Sequence, residues 1–237
     1  MKILSQKGLS VITAIILCVL TIGVAVVCFT PSKVVYISGG KAYEPIYYGN
    51  RDRNNVALTF NVYEGSDIVE GILNELNTRG AKATFFVGGC WADDNLDLVK
   101  KIIDDGHELG SHGYYHKDHS KLTEEQNRAE MKLLHDLIYN ELGYDIKLFA
   151  PPSGAFSVET LKVAENLGYK TILWSKDTID WRDKNKKTVY NRAIKGISGG
   201  DIVLMHPKAH TLEALPDILE YYKQKGLAIV TVSECIG

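Results

Sequence analysis

The sequence has no basic run, few cysteines and no surplus of either charge. Its 27 Lys and Arg against 29 Asp and Glu give a net charge of −2 and a pI near 6.4. Proteins that track a phosphate backbone concentrate basic residues on one face, so nucleic acid is excluded as an expected partner. Four cysteines in 237 residues are too few for a disulfide framework. Cys18 and Cys28 lie inside an apolar segment, which leaves Cys90 and Cys235 to pair or to stand as two free thiols. Sequence alone does not decide, because a disulfide needs its two Cα atoms within about 7 Å. Internal repeats and low-complexity tracts are also missing. What remains, 45% hydrophobic and 24% charged, is the balance of an ordinary globular protein.

Charge is missing most conspicuously near the amino terminus. Between Lys7 and Lys33 lie 25 consecutive uncharged positions, and Leu9 to Phe29 is almost wholly apolar. About 20 such residues cross a bilayer as a helix. A helix of a soluble core would show a polar face, and this one has none. Lys2 and Lys7 precede the run, which favours a cytoplasmic amino terminus. The run is long for a cleaved signal, no A-x-A site closes it, and Val26-Val27-Cys28 lacks the small residue of a lipoprotein signal. The expectation is a single-pass anchor over 1–29, with a cleaved signal as the alternative. Residues 30–54 read as a connector with turn chemistry at Ser38-Gly39-Gly40 and Gly49-Asn50. Residues 55–237 read as one domain outside the cytoplasm, on a cell membrane.

From Val56 onward, short apolar runs alternate with helical spacing. Val56–Phe60, Ala83–Val87, His107–Ser111, Lys147–Ala150, Thr171–Trp174, Ile202–Met205 and Leu227–Val232 have strand length. Asp67–Thr78, Leu96–Asp105, Thr123–Leu142, Val158–Leu167 and Leu212–Lys225 have helical period. Thr123 and Gln126 fit a capping box, and Gly168 and Gly226 fit helix stops. Such alternation specifies an α/β fold with parallel strands and helices outside. About seven units favour a barrel or a strongly curved sheet.

The polar residues with chemistry follow the strands: Asn61 and Glu64, then His112 and His116, then Pro151-Pro152-Ser153-Gly154, then Asp177, Asp180 and Trp181, then His206. In a parallel α/β barrel, every strand's carboxyl end opens onto one face, where active sites sit. Polar loops would explain any one of these residues, but less easily the alignment of all five segments. His112 and His116 stand four positions apart, a spacing that lets two imidazoles point the same way and suits a metal. A solvated histidine-rich loop is the alternative, since His107 and His119 are near. Two histidines need a third ligand, usually a carboxylate. A lone histidine at a strand end, as His206 is, is more often structural. A carboxylate such as Asp180 beside it would orient the ring and suit it to general-acid work. Trp181 reads as core, or as an apolar wall for a sugar ring.

Taken together, Leu58-Thr59-Phe60-Asn61, His112-x-x-x-His116, Phe149-Ala-Pro-Pro-Ser-Gly154, Asp177-x-x-Asp180-Trp181 and Leu204-Met-His206 resemble the five ordered motifs of the polysaccharide deacetylases, the nodulation-type enzymes of carbohydrate esterase family four. Ala83-Thr-Phe-Phe-Val87 and Gly106-His-Glu-Leu-Gly110 resemble the family's connecting segments. The resemblance implies a distorted (β/α) barrel, preceded here by one transmembrane helix. It also implies metal-dependent removal of N- or O-acetyl groups from a glycan such as peptidoglycan, with zinc the expected divalent metal. His112 and His116 match the metal pair, His206 the general acid and Asp180 the carboxylate that tunes it, while Pro152 and Trp181 fall in the substrate groove. The departures lie in two motifs. Where the family has an aspartate base and an aspartate metal ligand, this chain has Asn61 and Val62. An amide takes no proton as a base and a valine holds no metal. Glu64 is the candidate replacement ligand. Ala150 stands where an arginine orients the base. The leading expectation is a metal-assisted deacetylase. The rivals are a non-catalytic barrel that binds glycan or an envelope partner, and an esterase on a small acetylated molecule, since fold does not fix substrate.

Overall fold

The computed structural model describes residues 43–237, which form one compact unit. The expected anchor, and most of the expected connector, lie outside the described residues. Among the described residues, no helix is long and apolar enough to cross a membrane.

The chain runs β1 (Asn55–Val62), α1 (Ser66–Thr78), β2 (Thr84–Val87), α2 (Gly89–Asp94), α3 (Leu96–Asp104), β3 (Glu108–Ser111), α4 (Glu124–Leu142), β4 (Leu148–Phe149), α5 (Val158–Asn166), β5 (Lys170–Thr171), β6 (Lys176–Asp177), α6 (Lys186–Ile194), β7 (Ile202–Met205), α7 (Ala209–Gln224), β8 (Ala228–Val230) and α8 (Val232–Ile236). The strands lie in the order β5-β4-β3-β2-β1-β7-β6, with β8 beside the first half of β1. Every pairing between these strands is parallel.

Connectivity forces this sheet to curl. The two ends of the path, β5 and β6, are consecutive in sequence and separated by only four residues, 172–175. Those residues reach at most about 17 Å. Seven strands laid flat would put the ends roughly 29 Å apart. The sheet therefore wraps round, and residues 46–49 help to bridge the remaining gap. Ile46 pairs with Ile172, and Tyr48 pairs with Asp201. The domain thus takes in residues that sequence assigns to the connector.

The central strands β1, β2 and β7 are buried on both faces. Val56, Leu58, Phe60 and Val62 of β1 pack in one cluster with Val69 and Leu73 of α1 and Ile218 of α7. Ala57 joins a smaller cluster with Phe86, Leu148, Ala150, Ile172 and Ile202. Alternate residues of a strand point to opposite faces, so the first cluster lies between sheet and helices and the second fills the curl.

Helix ends follow the expected chemistry. Both halves of the Thr123–Gln126 capping box form, and Gly168 takes φ +81° just beyond α5. Three short helices, α2, α6 and α8, escape the sequence reading. The strand expected over Thr171–Trp174 is cut short: only Thr171 belongs to β5, the chain then crosses the gap, and β6 begins at Lys176 on the opposite end of the sheet. Cys90 is an exposed free thiol and Cys235 a buried one.

Candidate active site

At the mouth of the curl, beyond β7, His206 and Asp180 form a closed unit. His206 Nδ1 lies 2.7 Å from Asp180 Oδ1, and the His206 backbone N–H donates to Asp180 Oδ2 at 2.7 Å. Thr211 Oγ1, at the start of α7, donates to the same Oδ2 at 2.7 Å. Asp180 is fully buried. Burial alone would raise its pKa, but the hydrogen bonds from His206 and Thr211 outweigh that and hold it below the usual carboxylate range. A carboxylate at Oδ1 requires the proton on His206 Nδ1, which leaves Nε2 free. Trp181, next in the chain, is 53% exposed and stands as an apolar surface beside this unit.

Beyond β3, the turn after Ser111 carries His112 and His116. Their ring centroids are 5.0 Å apart. His112 Nδ1 lies 2.7 Å from the Ala150 carbonyl, so Nδ1 is the donor and Nε2 the free lone pair. Burial pushes the His112 ring down to about 3 and lowers His116 too, so both are neutral donors near neutral pH. His206 lies near enough to add to the lowering at both rings. The structure thus brings His112, His116, His206 and Asp180 to one mouth. Pro152 is buried within the loop after β4.

Beyond β1, the arrangement is different. Asn61 is buried and ends the polar face of the strand, where an amide stands in place of a carboxylate. Val62 is fully buried, pairs in register with Val87 and packs in the cluster between sheet and helices. Tyr63 rests on the His116 ring with centroids 4.3 Å apart. Glu64 is more than half exposed and forms an ion pair with Lys208 at the base of α7. Glu64 is therefore not joined to the two histidines, because a lysine has claimed its carboxylate. Among the described residues, no three His, Cys, Asp or Glu side chains converge as a metal site. Two nitrogen donors are present and the third ligand is missing, so these residues do not complete the expected zinc site.

Two polar residues of the site escape the sequence reading. Thr211 gives no local signal. Glu130 does: it is a charged residue on the buried face of α4, between Asn127 and Leu134.

The family profile described as polysaccharide deacetylase matches residues 48–172. The chain belongs to the polysaccharide deacetylase family. An uncharacterised Bacillus subtilis protein, YlxY, is 39% identical over 191 residues, which are 81% of this chain and 60% of that protein. The peptidoglycan-N-acetylmuramic acid deacetylase PdaA of Bacillus subtilis is 32% identical over 198 residues, 81% of this chain and 75% of PdaA. Among solved structures, BA3943 of Bacillus anthracis, described as a CE4 family pseudoenzyme, superposes with a TM-score of 0.80 at 34% identity, over 83% of this chain and 70% of that one. A BA3943 mutant described as having restored enzymatic activity also superposes at 0.80, with 32% identity over 83% and 72% of the two chains.

Proposed function

We propose that the domain acts on acetylated peptidoglycan outside the cytoplasmic membrane and hydrolyses its N-acetyl (or O-acetyl) groups slowly, with His206 as proton donor to the leaving group. The Asp180–His206 unit carries this reading. Its ring is oriented by a buried, hydrogen-bonded carboxylate and keeps Nε2 free at the mouth. Relatives named as peptidoglycan deacetylases support the substrate class.

Amide hydrolysis needs an activated water, a polarised carbonyl and a protonated leaving amine. His206 supplies the last. Asn61 can orient a water through its amide but cannot take its proton, and Val62 offers no polar atom. Water activation is therefore the weak half, and the rate is low. His112 and His116 bind a divalent ion such as zinc weakly on this reading, through two donors only. The uncharged span after Lys7 supports a membrane anchor with the domain extracytoplasmic.

Val62 in the core and Glu64 on Lys208 favour a second reading, a barrel that binds glycan or an envelope partner without turnover. Acetate release from N-acetylated peptidoglycan fragments separates the two. The first reading expects slow release by the wild type that falls to background in His206→Ala. Wild-type release already at background, with glycan still bound, selects the second. Protease added to protoplasts should remove the domain; full protection with the domain in the cytosol would refute the topology.

A further inference from the structure

We infer that Glu130 is the positioning residue of the His112–His116 turn, its buried carboxylate holding the backbone that aims the two imidazoles. The inference rests on the reading of those histidines as site residues, but not on turnover.

Glu130 Oε2 accepts from the backbone N–H of Tyr114 at 2.9 Å and of Tyr115 at 2.8 Å. Its other oxygen lies 3.0 Å from Lys117 Nζ. The carboxylate is 2% exposed, although Tyr115 above it is 54% exposed. A surface turn is thus tied from beneath to α4, 15 and 16 residues further on in sequence. The opposite polar groups of the same turn are also held. The Gly113 and Tyr114 carbonyls accept from the N–H groups of Gly89 and Cys90 at the start of α2, at 2.9 and 3.0 Å. Backbone donors and acceptors of one short loop are therefore satisfied from two sides, which fixes its path.

The conformation needs that restraint. His116 adopts φ +54°, a left-handed state that costs a non-glycine residue energy unless its surroundings impose it. Gly113 adopts φ +72°, and a Cβ there would lie 2.9 Å from His119 Nε2 and 3.4 Å from Glu130 Oε2. The glycine lets the turn settle onto the carboxylate. Without Glu130, two amides lose their acceptor, and the left-handed state at His116 loses the contact that precedes it. Lys117, on the exposed side, neutralises the carboxylate but does not shape the turn.

The test uses the full-length chain in detergent micelles, labelled with nitrogen-15 at its seven histidines. In Glu130→Ala, the ring nitrogen signals of His116 should move by several parts per million, while those of His206 and His135 stay in place. Glu130→Gln keeps a carbonyl oxygen for both amides and should return His116 close to its wild-type position. Lys117→Ala should leave it unmoved. Should Glu130→Ala fail to fold, hydrogen exchange in the wild type decides. The Tyr114 and Tyr115 amides should exchange at least about tenfold more slowly than in a free chain. An unmoved His116 in folded Glu130→Ala, a Gln variant without recovery, or unprotected amides at 114 and 115 would each overturn the assignment. None of these readouts depends on glycan, so this inference and the proposed activity fail separately.

Discussion

Beyond β7, a buried carboxylate makes three hydrogen bonds at 2.7 Å and fixes a histidine. Beyond β1, the corresponding segment holds an amide, a buried valine and a glutamate turned to a lysine. The difference teaches that the two halves of this site are tied to the fold unequally. Asp180 satisfies a backbone N–H, a ring and a hydroxyl at once. Its removal would orphan buried donors, at a cost of about 1–3 kcal/mol each. The acid half is thus held by stability as well as by chemistry, and its presence alone does not establish turnover. The β1 loop carries no such network. Residues 61–64 can differ from the family pattern without orphaning a buried partner.

The largest expected effect comes from rebuilding the weak half. Asn61→Asp with Val62→Asp should raise acetate release by on the order of 10²–10⁴, the range of a general base, and should tighten zinc binding. Asn61→Asp alone should gain less, because the ion would still be held weakly, by the two histidines only. A fast wild type that the double change destroys would reverse the comparison, and the loop from Asn61 to Gly65 would be a working variant site.

Stability sharpens the same contrast. Val62 is fully buried among the apolar side chains between sheet and helices. An aspartate there should lower unfolding free energy by on the order of 3 kcal/mol without metal. Added zinc should recover part of the loss if the new carboxylate swings to the histidines. Urea denaturation with and without zinc measures both. No loss at all would mean that position 62 already opens to the mouth.

Acid should separate the halves next. His112 is held neutral, with its pKa down at about 3, so the unfolded chain takes up a proton that the folded chain refuses. Stability should therefore fall as pH drops below about 6.5, by roughly 2 kcal/mol at pH 5 from this ring. His107, buried and lowered to about 4, acts in the same direction. Asp180 is shifted the other way: its contribution is complete above the ordinary aspartate pKa and is lost only as pH falls beneath it. Urea midpoints at pH 7 and 5 should thus differ, and a flat profile would contradict the burial of these rings.

Much of this was legible in the residues. Hydrophobic period gave the strand–helix alternation, because strands buried on both faces read as continuous apolar runs. The order of polar residues after strands gave the mouth. The crossing from β5 to β6 was not legible, since Thr171–Trp174 has strand length and only closure of the sheet ends β5 at Thr171 and starts β6 at Lys176. Glu64 reads as a candidate metal ligand in the sequence because its partner, Lys208, is 144 residues away. Thr211 leaves no trace in the sequence, because tertiary packing brings Asp180 to it; Glu130 shows as a charge on the buried face of α4, but nothing in the spacing names its partners.

The smallest effect concerns Lys208. Its pair with Glu64 is half-exposed at the surface, and such pairs contribute about 0–1 kcal/mol. Lys208→Ala should therefore leave stability within roughly 1 kcal/mol of wild type. Its value lies in what it frees. Glu64 sits two residues beyond Val62 and one beyond Tyr63, whose ring already touches His116. The path to test runs from a released Glu64 carboxylate to the histidine pair, since no other acid stands in residues 61–65. Zinc titration of Lys208→Ala, of His112→Ala and of the two combined reads that path. Tighter binding in Lys208→Ala that vanishes with His112→Ala would show that Glu64 can complete the ligand set and that the lysine is what keeps the two halves unequal. Unchanged binding would show that the loop's own backbone, with Gly65 at φ +83° against Pro207, holds Glu64 away whatever its partner.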